Sequence, residues 1–473
     1  MKNKINLTEG SILKSLIALS VPIVFANMLQ TAYQLTDTFW VGRLGTSAIA
    51  AVSISFPIIF FIVSLGGGLA MAGTILVSQY KGKGNKKAID HITSQTLLIV
   101  FLISIILATI GYFLSPFIIS LMGAEKDVFS SAVSYMKITF LGMVFMFTYM
   151  VFQSLMRGVG DVKTPAFIVL GTVLLNLILD PLFIFGYGFI PAYGVTGAAI
   201  ATISTQGISA IIGIFLLLKG KQQIRLYLKD LKPDIPLLKK IFKLGFPASI
   251  EQSTRALGIT GMTFLVAHFG TLTLAAYGIG SRVLSFIIIP AMGLSMATST
   301  LVGQNMGAGK IKRAERIVKL SSLTGFIFLT IIGIITFVFA KQISTIFIPE
   351  ELETIKSSAL FIKIMSLTFG FIGIQMALNG AFRGSGNTII SMVLSIISLW
   401  ILRFPIAYIL SKHTSLAIVG LWVAFPIANI IASIITIIWF SKGTWKQKKI
   451  TEEIKLTRET TKETIIGGGL NSL

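Results

Sequence analysis

Of the 18 acidic residues in the chain, Asp37, Asp180 and Glu251 stand inside stretches otherwise too apolar to hold a charge. An ionised side chain at the centre of a bilayer costs on the order of 3 kcal/mol on insertion scales, so an acid kept there binds an ion, relays a proton or is matched by a partner. Ser20, Asn27, Gln30, Gln34 and Asp37 follow one another at steps of three, four or seven, which puts them on one polar stripe of a helix that must face protein or water. Asn176 precedes Asp180 by one helical turn, and Pro181 removes an amide beside the carboxylate and frees a carbonyl. Such a group can hold a proton or Na⁺. Burial favours the neutral acid and Na⁺ favours the anion, so H⁺, Na⁺ and a cationic substrate should exclude one another there. A satisfied polar crosslink between helices would use the same residues. For Glu251 the competing reading is an ion pair with Arg255 at i+4, the favourable order within a helix.

The elements that position these residues follow from composition. The chain has 473 residues, 54% hydrophobic and 12% charged, a balance for a bilayer and not for water. Apolar runs long enough to span recur twelve times, the first over 14–42 and the last over 416–440, predicting an all-α polytopic protein. The net charge of +22 does not imply a nucleic-acid partner, because its placement is ordered: thirty of the 40 Lys and Arg lie at the N-terminus, in every second loop or after residue 441, and seven on the opposite side. The positive-inside rule then puts both termini in the cytoplasm of a multi-pass cell-membrane protein, with the first apolar segment retained. The absence of cysteine removes disulfides and thiolate ligands, and three histidines argue against a dedicated metal site.

Shifting the chain by 225 residues aligns Pro22 with Pro247, Gly68 with Gly293, Gln79 with Gln304 and Gly82 with Gly307 without a gap; a shift of 226 aligns Arg157-Gly158 and Gly160 with Arg383-Gly384 and Gly386. The chain is a duplication of six helices: an N-lobe over 1–218, an inter-lobe linker over 219–238, a C-lobe over 239–441 and a polar tail over 442–473. An even number of helices starts both lobes on the same side, so a pseudo-two-fold axis along the membrane normal should relate them and enclose a cavity. Gln30, Tyr33 and Gln34 are candidates to line it from the first helix, Met262, Met292 and Gln375 from the second lobe. The duplication is asymmetric, since Met262 stands opposite Asp37 and the acids concentrate in the first half.

Pro22 with Asp37, Asn176-x-x-x-Asp180-Pro181, Gly197-Ala198-Ala199-x-Ala201-Thr202 and the paired Arg157-Gly158-x-Gly160-Asp161 and Arg383-Gly384-x-Gly386-Asn387 resemble the motifs of the multidrug and toxic compound extrusion (MATE) family. The likeness spans nearly all of the chain except the tail. It implies a twelve-helix transporter, not an enzyme, with no catalytic residues and no cofactor other than the coupling ion. By the same resemblance Asp37, Asn176, Asp180 and Thr202 look like the N-lobe cation (H⁺ or Na⁺) site of the DinF-like and archaeal branch. Glu251 matches the seventh-helix acid of the NorM-like branch, but the tenth helix offers Gln375 and Asn379 and no carboxylate.

The expected function is efflux of organic cations or other amphipathic compounds by antiport with H⁺ or Na⁺ through alternating access, in a monomer, with Pro22 and Pro181 as conformational points. Two rivals differ in what they require. A lipid-linked oligosaccharide flippase of the same superfamily needs several cations facing a cavity, for which Arg255, Arg282 and Arg403 are the intramembrane candidates. An intramembrane transferase needs a clustered acid or metal motif that the scattered acids do not form.

Overall fold

The computed structural model describes residues 6–188, 190–220, 223–448 and 450–451. The first six helices are α1 (Ile12–Gly42), α2 (Thr46–Gly82), α3 (Lys86–Leu121), α4 (Lys126–Val159), α5 (Lys163–Phe185) and α6 (Val195–Lys219). The second set comprises α7 (Ile235–Ala267), α8 (Thr271–Gly307), α9 (Ile311–Val338), the short α10 (Ala340–Phe347), α11 (Leu352–Ser366), α12 (Phe369–Gly384), α13 (Thr388–Ile396), α14 (Phe404–Lys412) and α15 (Ile418–Ser441). Among the described residues ten spans are long and apolar enough to cross a bilayer, Thr388–Lys412 counting as one because the π-helical Ile397–Arg403 joins α13 to α14. The pair α11 and α12, bent by 51°, makes an eleventh. The less apolar α7, 33 residues and roughly 50 Å long, is the twelfth.

Local chemistry sets the ends of these helices. Ser11, Asn85 and Asp234 accept from the amides of Lys14, Ala88 and Leu237, capping α1, α3 and α7 at the end that carries the lysine-rich loops. Gly160 closes α4 at φ +87° and Gly386 follows α12 at φ +86°, a conformation that a side chain at Cβ would strain. The two positions are repeat equivalents, so the duplication seen in sequence is also a duplication of backbone.

Two lobes result. The first has a core around Ile75, Leu76, Phe147 and Phe152, and the second around Tyr277, Phe361 and Trp422, whose rings stack at 4.3 to 6.4 Å. They meet where glycine removes the side chain: a Cβ on Gly68 would lie 2.1 Å from the Ser249 amide nitrogen, and one on the equivalent Gly293 2.4 Å from Val24 Cγ2. At the lysine-rich end the approach is closer still, Gly82 against the Gln304 carbonyl and Gly307 against that of Gln79. Toward the opposite end Gly45, Gly270 and Gly278 meet nothing within 4 Å.

The segment between α6 and α7 is held under α3, where Gln95 Nε2 donates to the Asp230 and Lys232 carbonyls at 2.6 and 2.7 Å and Asp90 accepts from the Arg225 amide. The polar stretch after residue 441 packs at its start instead of projecting. Trp445 is buried and stacks on Phe440 at 4.9 Å, and Ile450 lies buried against Gly386 and Leu244. Leu7 occupies the equivalent place beside Gly160, and Asn305 donates to its carbonyl at 3.1 Å. The remainder of the expected tail, 452–473, lies outside the described residues.

Candidate functional site

Three helices of the first lobe converge on one acidic pair. The small residues opening α6 let it lie against α5, for a Cβ on Gly197 would come within 2.2 Å of the Phe183 carbonyl oxygen. That approach turns Thr202 toward α1, where its hydroxyl donates to Asp37 Oδ2 at 3.2 Å, and Thr205 toward Tyr33, with the two hydroxyls 2.7 Å apart. On α5, Asn176 Nδ2 donates to Asp180 Oδ1 at 2.9 Å, and both residues are fully buried. The carboxyls of Asp37 and Asp180 lie close enough to act on one another electrostatically. The structure therefore brings together Asp37, Asn176, Asp180 and Thr202, with Pro181 beside them.

What this pair lacks decides what it can do. Asp37 Oδ1, Asp180 Oδ2 and Asn176 Oδ1 are buried and receive no donor from the described residues. Two adjoining carboxylates without a cation repel strongly in a low dielectric, and a shared proton or one hard cation between them removes that cost. The oxygen donor set of two carboxyls, an amide carbonyl and a hydroxyl fits Na⁺ as well as H⁺. No cluster of three or more His, Cys, Asp or Glu suited to a resident metal occurs among the described residues.

Along the polar stripe of α1 that leads to Asp37 lies a cavity of about 280 Å³ lined entirely by N-lobe residues. Asn27, Gln30 and Gln34 supply its polar wall from α1, Phe56 and Phe60 an aromatic wall from α2, and Met146, Met150, Gln153 and Arg157 a mixed wall from α4. Tyr33 is buried and turned to Thr205 instead. The C-lobe candidates do not contribute: Met262 is 3% exposed in the core of its own lobe, and Met292 and Gln375, half-buried, are not among the lining residues. An apolar side chain has no obligatory partner, so its burial is easier to foresee than the wall it joins.

Glu251 has a different environment. It is 1% exposed and accepts from Arg255 Nη2 at 2.9 Å, from Ser395 Oγ at 3.1 Å and from both Nε and Nη2 of Arg383, the first at 3.0 Å. The pair with Arg255 read from spacing is present, and Arg383 is the partner that sequence reading missed. It stands 132 positions away and reads as one more positive charge at the inner end of a span. A buried acid outnumbered by two guanidinium groups is a matched charge that ties α7 to α12 and α13.

A family model described as MatE matches residues 22–182 and 247–409, one segment in each lobe. The chain belongs to the MatE family. Among curated relatives of this MatE chain, the probable multidrug resistance protein YoeA of Bacillus subtilis is 31% identical over 95% of the chain and 97% of its own length. The probable multidrug resistance protein NorM of Thermotoga maritima is 30% identical over 95% and 96%. A MOP superfamily transporter from Pyrococcus furiosus shares the fold at a TM-score of 0.86, 23% identity, 94% of this chain and 100% of its own. A structure described as the outward-facing conformation of a multidrug resistance MATE family transporter matches at 0.85, 24% identity and the same coverage. Members of the family are transporters, which sets the transferase reading aside.

The remaining charges of this MatE protein are mostly committed. Arg403 Nη2 donates to Asn429 Oδ1 at 2.8 Å and its guanidinium covers the Phe425 ring at 4.7 Å, while Arg282 is exposed near Phe347. With Arg255 bound to Glu251, the three cations that a pyrophosphate-binding flippase would need do not face one cavity. His91 contacts Asp234 at 3.0 Å, His268 the Phe264 carbonyl at 2.9 Å and His413 the ring of Tyr408, all at helix ends.

Proposed function

We propose that the chain is a secondary transporter exporting amphipathic small molecules, organic cations among them, in exchange for H⁺ or Na⁺. The observation that carries this reading is a pair of carboxyls, each with a buried oxygen that no donor reaches among the described residues, together with a cavity whose polar wall belongs to the same helix as Asp37. We place the protein as a monomer in the cell membrane with both ends cytoplasmic. On that topology the tight interlobe contacts at the lysine-rich end seal the inside, and this state faces outward.

In the outward state Asp37 and Asp180 take up H⁺ or Na⁺. Losing their mutual repulsion lets α1 draw onto α5 and α6, and since Asn27, Gln30 and Gln34 ride on α1, the cavity narrows and expels its guest. Pro22 leaves the Ala18 carbonyl without its helical donor, which lowers the cost of bending α1 there. The ion leaves to the inside, where substrate rebinds. Coupling requires that ion and substrate favour opposite shapes of α1, because a ligand with equal affinity for both shifts neither.

Vesicles containing the purified protein test this directly. Uptake of a fluorescent amphiphile is followed with a proton gradient alone and with a Na⁺ gradient alone; one should drive accumulation, and Asp37→Asn should abolish the driven part. Accumulation at wild-type rate by well-folded Asp37→Asn would overturn the proposal.

A further inference from the structure

The two lobes place equivalent arginines in opposite circumstances. In the second lobe Arg383 is held by Glu251, with Arg255 one turn beyond. In the first lobe the equivalent of Arg383 is Arg157, the equivalent of Glu251 is Ala26 and that of Arg255 is Gln30. All three of these N-lobe residues line the cavity, and Arg157 is its one charged lining residue. Arg157 has neither an ion pair nor a side-chain hydrogen bond among the described residues; its neighbours one and two turns back on α4 are Gln153 and Tyr149, and Tyr149 gives its hydroxyl to the Pro165 carbonyl at 3.1 Å.

A guanidinium in a membrane span with no counterion keeps its charge at a cost that water in the cavity or an incoming anion offsets. The second lobe gives the form of the matching anion, a planar carboxylate approached by Nε and Nη2 together. In the first lobe a methyl group at Ala26 replaces the glutamate side chain, so the place of that carboxylate lies open to the cavity. Phe56, Phe60, Met146 and Met150 furnish an apolar wall for the body of such a guest. Asp37 lies eleven residues beyond Ala26 on α1, roughly 16 Å away, so an anion at Arg157 and an ion at the acidic pair do not collide.

We propose that Arg157 is a substrate-anchoring residue and that the N-lobe cavity takes amphiphiles bearing a carboxylate, zwitterions included, with the carboxylate standing where Glu251 stands in the second lobe. This rests on the export reading above and narrows its substrate class.

Rhodamine B and its ethyl ester share one xanthene body and differ in a free carboxylate. Their dissociation constants for the purified full chain are measured by fluorescence polarisation, and the readout is the ratio of acid to ester. Arg157→Gln should raise that ratio at least tenfold, Arg157→Lys should restore part of it, and Ala26→Glu, which supplies an internal anion, should raise it as Arg157→Gln does. A ratio within twofold of wild type in both Arg157→Gln and Ala26→Glu overturns the proposal, as does a wild type that binds the ester and not the acid. A wild type that binds neither dye overturns the export reading together with the anchor.

Discussion

Gln79 and Gln304 make the same hydrogen bond in opposite directions across the interface between the lobes. The Nε2 of Gln79 donates to the Gly384 carbonyl at 2.9 Å, and the Nε2 of Gln304 donates to the Gly158 carbonyl at 2.9 Å. Both glutamines are buried, and each sits three residues before the glycine that admits the other lobe's backbone. The closure at the lysine-rich end is thus a pair of equal latches generated by one duplicated segment.

Filling either latch should hold the inner side open. A Cβ at Gly307 would fall 1.8 Å from the Gln79 carbonyl oxygen, a separation no side-chain adjustment relieves. Gly307→Ala is therefore expected to shift the population toward the inward-open state. Because the chain has no cysteine of its own, a single cysteine introduced on the inner face of α2 can report this by its labelling rate, which should rise at least fivefold. An unchanged rate would mean that the lobes do not seal here during the cycle.

Removing one latch without adding bulk has a smaller effect. Gln304→Ala leaves the Gly158 carbonyl buried without its donor, a cost of about 1–3 kcal/mol to the closed form. Transport should then be limited by an inner gate that opens too readily, seen as faster exchange of dye with no gradient applied.

Either carboxyl of the acidic pair should be indispensable to coupling. Asp180→Asn keeps the shape and the contact with Asn176 but removes a proton or cation acceptor, so gradient-driven accumulation in vesicles should fall at least tenfold while the protein remains a single species on gel filtration. Retention of driven transport by this variant would shift the coupling chemistry elsewhere.

Glu251→Gln separates a structural charge from a coupling one. Loss of the acid strands Arg255 and Arg383 in the interior of the C-lobe, and breaking a buried pair in this way costs about 3–5 kcal/mol. The melting temperature should drop clearly. A variant that keeps its melting temperature and loses gradient-driven transport would instead give Glu251 a part in ion movement.

Trp445→Ala tests whether the stretch after α15 belongs to the folded unit. The indole is fully buried against Phe440, so its removal should destabilise the protein by about 3–5 kcal/mol, read as earlier thermal unfolding. No change would make the contact incidental.

Much of this was legible in the sequence for one physical reason: a polar group in hydrocarbon must be accounted for. Asp37, Asn176, Asp180 and Thr202 stand out against apolar neighbours, and helical spacing fixes which of them share a face, so their convergence was foreseeable before their partners were known. The duplication could be read because glycines that admit another backbone tolerate no other residue, as at Gly82 and Gly307. Arg383 and Arg157 escaped because a long cationic side chain near the end of a span looks the same in sequence whether it reaches out to water or turns inward to an acid or a cavity. Met262 escaped because packing an apolar residue against its own lobe or against a pore satisfies it equally. The π-helical turn over Ile397–Arg403 and the burial of Trp445 and Ile450 depend on tertiary fit, which no local pattern encodes.

Leu7 and Ile450 fill equivalent niches beside Gly160 and Gly386, so a residue ahead of the first span and one behind the last both pack against the closure at the lysine-rich end. A pull on Leu7 or on Ile450 would therefore bear on that closure. A protein, lipid surface or affinity tag that tugs on one of these ends would act as a throttle on turnover without ever touching the cavity.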